Sequence, residues 1–199
     1  MTKNLVLLGM MGTGKSTVAV VLAERLGRPL VDTDVEVERM VGRRIRTIFA
    51  EEGEPAFRRL ERLAVANVAR HSQRVVSVGG GAVVDDANVI ALRSSGVLVE
   101  LRAPVETLTA RLATESRSDD RPLLAGPDPT ARIAELIRVR APRYAAVSDF
   151  SLDAVATPAE IAEDVLAWAA SIPGVLSHDE LRRAATPARA EGPGGWAPG

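Results

Sequence analysis

Hydrophobic residues follow two alternating patterns along this chain. Short apolar runs at 5–8, 75–78 and 97–101 have the length and the Val/Leu content of strands that are buried on both faces of a parallel sheet. Between the runs, hydrophobic residues recur every three or four positions, which is the spacing of an amphipathic helix. Two further strands are predicted at 29–34 and 149–153, so that strand and helix alternate five times. This alternation predicts a three-layer α/β domain in which helices flank a five-stranded parallel sheet.

Glycine and proline mark the ends of the predicted helices. Gly27 and Pro29 end the first periodic segment, and Gly53 separates a short helix from a longer one. The spacing predicts a first helix that ends near residue 26 and further helices at 35–41, 45–52, 54–71, 85–93, 104–113, 130–139 and 158–170. From residue 173 onward Pro, Gly, Ala and Ser dominate, with a weak helical pattern at 177–185. We therefore expect one domain at 1–172 and a disordered tail at 173–199.

The composition is that of a soluble globular protein and excludes several other classes. The 199 residues are 46% hydrophobic and 26% charged, which suits one domain with a single core. The net charge of −1 argues against a surface that binds nucleic acid or membranes, and the absence of cysteine excludes disulfides and thiolate metal sites. The first predicted strand begins too close to Met1 for a signal sequence to precede it. We expect a cytoplasmic protein with no nucleic-acid or membrane partner.

A glycine-rich segment, Gly-Met-Met-Gly-Thr-Gly-Lys-Ser-Thr at positions 9–17, links the first strand to the first helix. It fits the pattern G-x-x-x-x-G-K-[ST] of the phosphate-binding P-loop, in the strand–loop–helix context that the motif requires. Backbone N–H groups and the helix N-terminus would bind the phosphates of ATP. Lys15 would reach the β- and γ-phosphates, and the Ser16 hydroxyl would ligate Mg²⁺. A chance glycine-rich turn is the alternative, and both flanking elements argue against it.

Two aspartates follow the second predicted strand. Asp32 and Asp34 alternate along an extended segment at the carboxyl end of that strand, which is the edge where open α/β sheets bind ligands. Asp32 is a candidate for the Mg²⁺ shell, and Asp34 is placed further out, where an acceptor hydroxyl would lie. The alternative is that one of the two, most simply Asp34, only caps the helix that follows.

An arginine pair near the start of the 54–71 helix is another candidate for the site. Arg58 and Arg59 lie about 100° apart around the helix axis, so that one can face the site while the other faces solvent. Glu61, three residues after Arg58, can hold that arginine by a charge pair. For either arginine alone, a solvated position is the alternative.

Three consecutive glycines, at 79–81, follow the third predicted strand. Glycine at this position indicates a backbone that a ligand approaches closely. The alternative is a tight strand-to-helix turn, which seldom needs three glycines.

The segment 114–128 differs in character from the rest of the domain. It is polar at first, is then interrupted by Pro and Gly, and carries Arg117 and Arg121. Beside a phosphate site, such a segment is a candidate for a mobile lid that brings an arginine to the transferring phosphoryl group and excludes water. An ordinary flexible loop has the same composition and is the alternative.

The motifs taken together resemble the shikimate kinase family over residues 3–170, whereas the P-loop alone indicates only a nucleotide-binding ATPase or kinase. The resemblance depends on six motifs in order: the P-loop at 9–17, Asp32-Thr33-Asp34, Phe57-Arg58, Gly79-Gly80-Gly81, Arg121-Pro122-Leu123-Leu124 and Arg140-Ala141-Pro142-Arg143-Tyr144. It implies the P-loop NTPase fold of the nucleoside monophosphate kinases, with sheet order 2-3-1-4-5. It also implies a monomer that transfers the γ-phosphoryl group of ATP, with Mg²⁺, to the 3-hydroxyl of shikimate, a step toward chorismate and the aromatic amino acids.

The resemblance also assigns roles to individual residues of this chain. The ATP phosphates would be bound by Gly12, Thr13, Gly14, Lys15, Ser16 and Thr17, and the adenine would lie against Arg111 and Pro158. Ser16 would bind Mg²⁺, with Asp32 close to the metal. Shikimate would be held by Asp34, Arg58, Gly79, Gly80, Gly81 and Arg140. Lys15, Asp34 and the lid residue Arg121 would act in catalysis.

Two departures from the family pattern leave alternatives open. Position 143 is Arg where the family usually has an apolar residue, so that both Arg140 and Arg143 are candidates for the carboxylate site. The lid is a few residues longer than is typical, which makes Arg117 a rival of Arg121. Rival functions are another small-molecule P-loop kinase, such as a gluconate or nucleoside monophosphate kinase, and a catalytically silent nucleotide-binding module.

Overall fold

The computed structural model describes residues 2–114 and 128–186. Its five parallel strands form one sheet in the order β2-β3-β1-β4-β5, as predicted. The strands are Asn4–Leu8 (β1), Leu30–Asp32 (β2), Val75–Ser77 (β3), Gly96–Arg102 (β4) and Phe150–Asp153 (β5). The central strand β1 therefore leads into the P-loop, and the carboxyl ends of β2 and β3 lie to one side of it.

Helices cover both faces of the sheet. In the described ranges they are Lys15–Leu26 (α1), Thr33–Val41 (α2), Ile45–Ala69 (α3), Asp86–Ser95 (α4), Val105–Thr114 (α5), Pro129–Val147 (α6), Pro158–Ser171 (α7) and His178–Ala184 (α8), with a short 3₁₀ helix at Ala82–Val84. None of these helices is both long enough and apolar enough to cross a membrane.

One predicted helix boundary is confirmed and another is wrong. Gly53 has the non-helical angles φ 78° and ψ 174°, so that α3 consists of two helical segments that meet at a kink there, as predicted. Helix α6 continues past residue 139 and through Pro142 to Val147. Proline weakens a helix because it lacks an N–H donor. Here the cost is offset because Tyr144 and Val147, which lie beyond Pro142, are buried in the core.

The core consists of two apolar layers, one on each face of the sheet. Alternate residues of β1 supply both layers: Leu5 and Leu7 pack with α1 and α7, whereas Val6 and Leu8 face the layer that includes residues of α3–α6. This explains why the strands read as unbroken hydrophobic runs. A smaller cluster, centred on Ile48 and Phe57, joins α2 to α3. It fixes α3 beside the carboxyl edge of the sheet, where the candidate site lies.

The segment after α7 corrects the expected domain boundary at residue 172. Val175 and Leu176 are buried in the same apolar layer as α1 and α7, and α8 follows them. Glu180 of α8 forms a buried ion pair with Arg28, at 2.6 Å. Burial of apolar side chains and of this ion pair fixes residues 173–186 to the domain. The remaining residues of the predicted tail, 187–199, lie outside the described residues.

Candidate active site

The P-loop forms an arch between β1 and α1. Gly12 and Gly14 have φ angles of 82° and 88°, which favour glycine strongly, and α1 begins immediately after Gly14. Lys15 directs its Nζ into the arch, where it donates to the carbonyl oxygens of Gly9 at 3.0 Å and Met10 at 2.9 Å. No side chain of the described residues caps α1 at Gly14. The first N–H groups of α1 are therefore available to an anion.

The two carboxylate oxygens of Asp32 have different partners. Its Oδ1 accepts hydrogen bonds from the backbone N–H groups of Asp34 (2.9 Å) and Val35 (3.4 Å), so that Asp32 caps α2. Its Oδ2 accepts a hydrogen bond from Ser16 Oγ at 3.2 Å. The capping role that the sequence left open for Asp34 thus belongs to Asp32. The same carboxylate also meets Ser16, its predicted partner at the metal.

Sequence reasoning missed Ser77 as a member of this group. Ser77 ends β3, is buried, and pairs in register with Asp32 on β2. Its Oγ lies 3.5 Å from Ser16 Oγ. The signal for it was a single hydroxyl residue inside the apolar run 75–78. On the same edge of the sheet, the Thr33 hydroxyl accepts a hydrogen bond from Gly79 N at 3.0 Å and so ties α2 to the glycine segment.

Asp34 lies at the start of α2 with its carboxylate enclosed. Its Oδ1 is buried and accepts no hydrogen bond from the described residues. Burial, followed by the negative charges of Asp32 and Glu61, raises the pKa of Asp34 to about 7, while Lys15 and Arg58 act in the opposite direction. A carboxylate with an unbonded oxygen and a pKa near neutrality is suited to bind a hydroxyl group and to accept its proton.

Arg58, and not Arg59, faces this site. Arg58 Nη1 donates to Glu61 Oε2 at 2.8 Å, and its Nη2 donates to Glu54 Oε1 at 2.7 Å, whereas Arg59 is exposed. The predicted pairing of Arg58 with Glu61 is therefore confirmed. The guanidinium also lies 5.3 Å from the centre of the Phe57 ring. Burial raises the pKa of Glu61 against the lowering effect of Arg58, and Glu61 Oε1 has no hydrogen bond within the described residues.

The three glycines make room for the side chains of the site itself. A Cβ on Gly79 would lie 2.5 Å from Asp34 Oδ1, and a Cβ on Gly81 would lie 2.5 Å from Arg58 Nη1. A Cβ on Gly80 would approach the P-loop backbone at Met11 N, at 3.4 Å. The sequence predicted that a ligand approaches the backbone of residues 79–81 closely. The structure identifies what approaches it: the carboxylate, the guanidinium and the P-loop.

Helix α6 supplies the other arginine of the site. Arg140 is buried and its Nη1 donates to Gly80 O at 3.2 Å, while Tyr144, one turn later, donates its hydroxyl proton to the same carbonyl oxygen. Burial raises the pKa of Tyr144 to about 12. Arg143 points elsewhere, donating to Val83 O at 2.8 Å and to the Asp86 carboxylate. Of the two arginines that the sequence left open, Arg140 contacts the glycine segment of the site.

Arg111 lies beside the P-loop, at the end of the site opposite Arg140. Its Nη1 is 3.4 Å from the carbonyl oxygens of Gly12 and Thr13, and its Nη2 donates to Ala154 O at 2.9 Å. Pro158 is exposed at the start of α7, shortly after Ala154 in the chain. Arg111 thus links the P-loop to the segment that leads into Pro158, the other residue predicted to border adenine. Arg117 and Arg121 of the predicted lid lie outside the described residues.

Comparisons with known proteins agree with these motifs. A sequence model of the shikimate kinase family matches residues 11–170. The shikimate kinase of Caldanaerobacter subterraneus is 41% identical over 165 residues, covering 82% of this chain and 94% of that protein. The shikimate kinase of Symbiobacterium thermophilum is 49% identical over 142 residues, covering 71% and 81%.

A solved structure extends the agreement to three dimensions. Shikimate kinase from Acinetobacter baumannii in complex with shikimate superposes with a TM-score of 0.80 at 34% identity, covering 84% of this chain and 93% of that one. The family match includes residues 11–17 of the P-loop, the Asp32–Asp34 segment, the glycine segment and the start of α7. By sequence and by fold, this chain belongs to the shikimate kinase family.

Proposed function

We propose that this chain transfers the γ-phosphoryl group of ATP to the 3-hydroxyl of shikimate at the site described above. The observation that carries the proposal is the convergence of Asp34, Arg58 and Arg140 on the glycine segment 79–81, directly beside the P-loop. One carboxylate and two guanidinium groups match a substrate that has one carboxylate and several hydroxyls.

The two arginines would bind the substrate carboxylate. Arg58 and Arg140 flank the same short stretch of backbone, since Arg58 contacts Gly81 and Arg140 bonds to Gly80 O. A guanidinium binds a carboxylate through two parallel hydrogen bonds, which fixes the orientation of the acid as well as its position. Hydrogen bonds to Glu54 and Glu61 hold Arg58 in place. The substrate ring would then lie over the glycines, with a hydroxyl toward Asp34.

Asp34 would orient the attacking hydroxyl and take its proton. Its unbonded Oδ1 needs a donor, and a substrate hydroxyl supplies one. Its pKa of about 7 places the loss and gain of this proton close to neutral pH, as a group that accepts a proton from a hydroxyl requires. Lys15, which lowers this pKa, lies on the nucleotide side and would neutralise charge on the transferring phosphoryl oxygens.

The nucleotide would occupy the P-loop, with its phosphates on the N–H groups of residues 12–17. The start of α1 has no side-chain cap among the described residues, so that backbone donors are available for the phosphates. Arg111, beside Gly12 and Thr13, and Pro158 would border the adenine. The lid residue Arg121 would approach from the other side to stabilise charge on the γ-phosphoryl group. Thr17, which is exposed in the first turn of α1, completes the phosphate site.

Mg²⁺ fits the residues present at Ser16 and Asp32. A hydroxyl and a carboxylate oxygen 3.2 Å apart are the hard donors that Mg²⁺ prefers. The described residues contain no cluster of three acidic or histidine ligands. This suits a cation that keeps most of its waters and shares the nucleotide phosphates. When bound, Mg²⁺ would neutralise phosphate charge. Ser16 Oγ and Asp32 Oδ2 would hold it, and the hydrogen bonds from α2 to Asp32 Oδ1 would keep the Asp32 carboxylate beside Ser16.

We further propose a cytoplasmic monomer with no nucleic-acid or membrane partner. The near-neutral net charge of −1 gives no basic surface for either partner. The site described above is built from one chain, since Asp34, Arg58 and Arg140 all meet within it.

Acceptor-dependent ADP release tests the proposal. Purified protein and Mg-ATP are combined with shikimate, gluconate, AMP or no acceptor, and ADP is measured. We expect ADP release with shikimate alone. Release with gluconate or AMP would be consistent with P-loop chemistry but would contradict the assigned acceptor residues. Nucleotide binding without any ADP release would indicate a catalytically silent module.

The variant Arg58→Lys tests the acceptor residues directly. It keeps the positive charge but removes the planar guanidinium that binds a carboxylate through two hydrogen bonds, so it should raise KM for shikimate more than KM for ATP.

A further inference from the structure

A second cavity lies behind the P-loop, on the α6 side of the sheet. Its volume is about 610 Å³, within the range of roughly 300–1,000 Å³ that small-molecule sites occupy. It lies at the carboxyl ends of β4 and β5. Its lining includes Met10, Thr13, Glu100, Ile137, Tyr144 and Val155. Most of this wall is apolar, and its charged residues are Glu100, Arg102 and Asp153.

Glu100 is an unusual residue for the interior of a central strand. It is only 3% exposed and accepts a hydrogen bond from Ser151 Oγ at 2.8 Å through Oε2. Within the described residues, Oε1 accepts no hydrogen bond, and no lysine or arginine forms an ion pair with Glu100. Oε1 is therefore open to a further donor, and because the residue as a whole is almost fully buried, a donor that enters the cavity would gain a strong partner.

The other charges at the cavity neutralise each other. Arg102 and Asp153 lie on its lining as an exposed pair, with Nε and Oδ1 3.4 Å apart. Among the described residues that line the cavity, Glu100 is therefore the charge without an ionic partner. The cavity is electrostatically suited to a cation and unsuited to an anion.

Tyr144 separates this cavity from the proposed acceptor site, the group formed by Asp34, Arg58, Arg140 and the glycine segment 79–81. Its ring lines the cavity, whereas its hydroxyl bonds to Gly80 O in the acceptor site and lies 3.6 Å from Met10 Sδ. Among the described residues, Asp34, Arg58 and Lys15 are not part of the cavity lining, and Thr13 is the one lining residue that is also assigned to the ATP phosphates. Glu100 thus has no part in the chemistry proposed for phosphoryl transfer, and the cavity adjoins the nucleotide site only at Thr13.

We propose that this cavity binds a small organic cation: a primary ammonium group on an apolar body. The ammonium group would donate to Glu100 Oε1, and the apolar body would pack against Met10, Ile137 and Val155. An ammonium group is favoured over a neutral hydroxyl because charge-assisted hydrogen bonds are roughly twice as strong as neutral ones. The low-polarity walls strengthen this attraction further.

The proposal is tested with three probes of one shape on the full-length protein, without nucleotide. Benzylamine is the cation, benzyl alcohol the neutral isostere and benzoate the anion. Binding is measured by NMR titration and calorimetry at neutral pH. We expect saturable binding of benzylamine at one site, benzyl alcohol weaker by at least about tenfold, and no binding of benzoate to this cavity.

Two variants locate the bound amine. Glu100→Gln keeps the shape of the side chain and removes its charge, so benzylamine should lose at least about tenfold in affinity while benzyl alcohol changes little. Ala141→Leu fills part of the cavity from α6 and should weaken both probes. If Glu100→Gln does not fold, as judged by circular dichroism, Ala141→Leu and the amine–alcohol comparison still decide the question. Ser151→Ala, which leaves the carboxylate intact, should retain benzylamine binding.

Three results would overturn the proposal. Equal affinities for benzylamine and benzyl alcohol in the wild type would show that Glu100 does not select the ligand. A failure to detect saturable benzylamine binding would show that the cavity holds only water. Displacement of benzylamine by saturating Mg-ADP or shikimate would assign the cavity to the substrate sites. Retained benzylamine binding in the presence of both substrates is the expected result.

Discussion

Two arginine–glutamate pairs in this protein, each with a buried glutamate, have opposite electrostatic properties. In the acceptor site, Glu61 pairs with Arg58, and burial still raises the pKa of Glu61. At the C-terminal end of the domain, Glu180 pairs with Arg28. There, burial is outweighed by hydrogen bonds from Arg28 and Ser177, which lower the pKa of Glu180 to about 2. In the first pair one oxygen of the glutamate lacks a hydrogen bond within the described residues, whereas in the second pair both oxygens accept hydrogen bonds.

The difference lies in the number of hydrogen bonds that each pair receives. Both oxygens of Glu180 accept hydrogen bonds from Arg28, at 2.6 and 3.0 Å, and Oε2 also accepts one from Ser177 N at 2.7 Å. Arg28 in turn donates to the carbonyl oxygens of Lys3 and Val175. Such a pair is satisfied by the protein alone and contributes to the cohesion of the domain.

The acceptor site leaves hydrogen-bonding capacity for a ligand. Glu61 Oε1 and Asp34 Oδ1 are buried and unbonded within the described residues, and both lie close to Gly79. Unpaired buried acceptors cost stability, and they are useful when a substrate supplies the missing donors. We infer that the acceptor site is held in a partly unsatisfied state for binding, whereas the Arg28–Glu180 pair fixes the chain end. The following variants test this contrast.

The largest effect is expected from Asp34→Asn. Turnover should fall by about 10²- to 10⁴-fold because the proposed proton acceptor is lost. Stability should stay the same or rise, since an unbonded carboxylate near Glu61 is removed. Steady-state kinetics and urea unfolding measure the two quantities, and Glu180→Gln serves as a control that should retain turnover. Near-normal turnover of Asp34→Asn would contradict the assignment.

Arg28→Ala should show the reverse behaviour. Removing Arg28 leaves Glu180 buried without its partner, which typically costs about 3–5 kcal/mol of unfolding free energy. Turnover per folded molecule should remain close to that of the wild type. Arg138→Ala is the matched control: both Arg138 and its partner Glu135 are exposed, so its cost should not exceed about 1 kcal/mol. Equal stability of the two variants in urea would show that α8 is not held by this pair.

The two regions should also respond to pH with opposite signs. Glu180 has a pKa of about 2 in the folded protein, below its usual 4.5, so its stabilising effect is complete above pH 4.5 and is lost as pH falls toward 2. Asp34 has a pKa of about 7, above its usual 3.8, so its ionisation removes stability as pH rises from 3.8 through 7. Urea unfolding of the ligand-free wild type against Glu180→Gln and Asp34→Asn, over pH, measures each contribution. A pH-independent difference for either variant would contradict the assignment for that region.

The smallest effect is expected from Arg59→Ala. Arg59 is exposed on α3, so stability should change by no more than about 0.5 kcal/mol and KM for shikimate should be unchanged. Arg58→Ala, one residue away, should raise KM for shikimate because it removes a proposed carboxylate ligand. A matching rise in both variants would mean that the charge of the helix, and not the position of Arg58, attracts the substrate.

Local patterns in the sequence were sufficient for the sheet and for the position of the P-loop between β1 and α1. The apolar runs and the P-loop motif gave the five strands, and family resemblance supplied their order. The run Gly79-Gly80-Gly81 marked a crowded backbone, because only glycine tolerates such close approach. The Arg58–Glu61 pair followed from helix spacing. All of these features are encoded within a few consecutive residues.

The tertiary structure decided what depends on distant parts of the chain. The Arg28–Glu180 pair joins residues 152 positions apart, so no local pattern could show that 173–186 belongs to the domain. The choice of Arg140 over Arg143 depends on which side of α6 meets Gly80, and the role of Ser77 depends on its register with Asp32. Periodicity specifies which residues can form an element. Which of its polar groups remain unbonded, and are therefore free to bind a ligand, is determined only when the elements pack against one another.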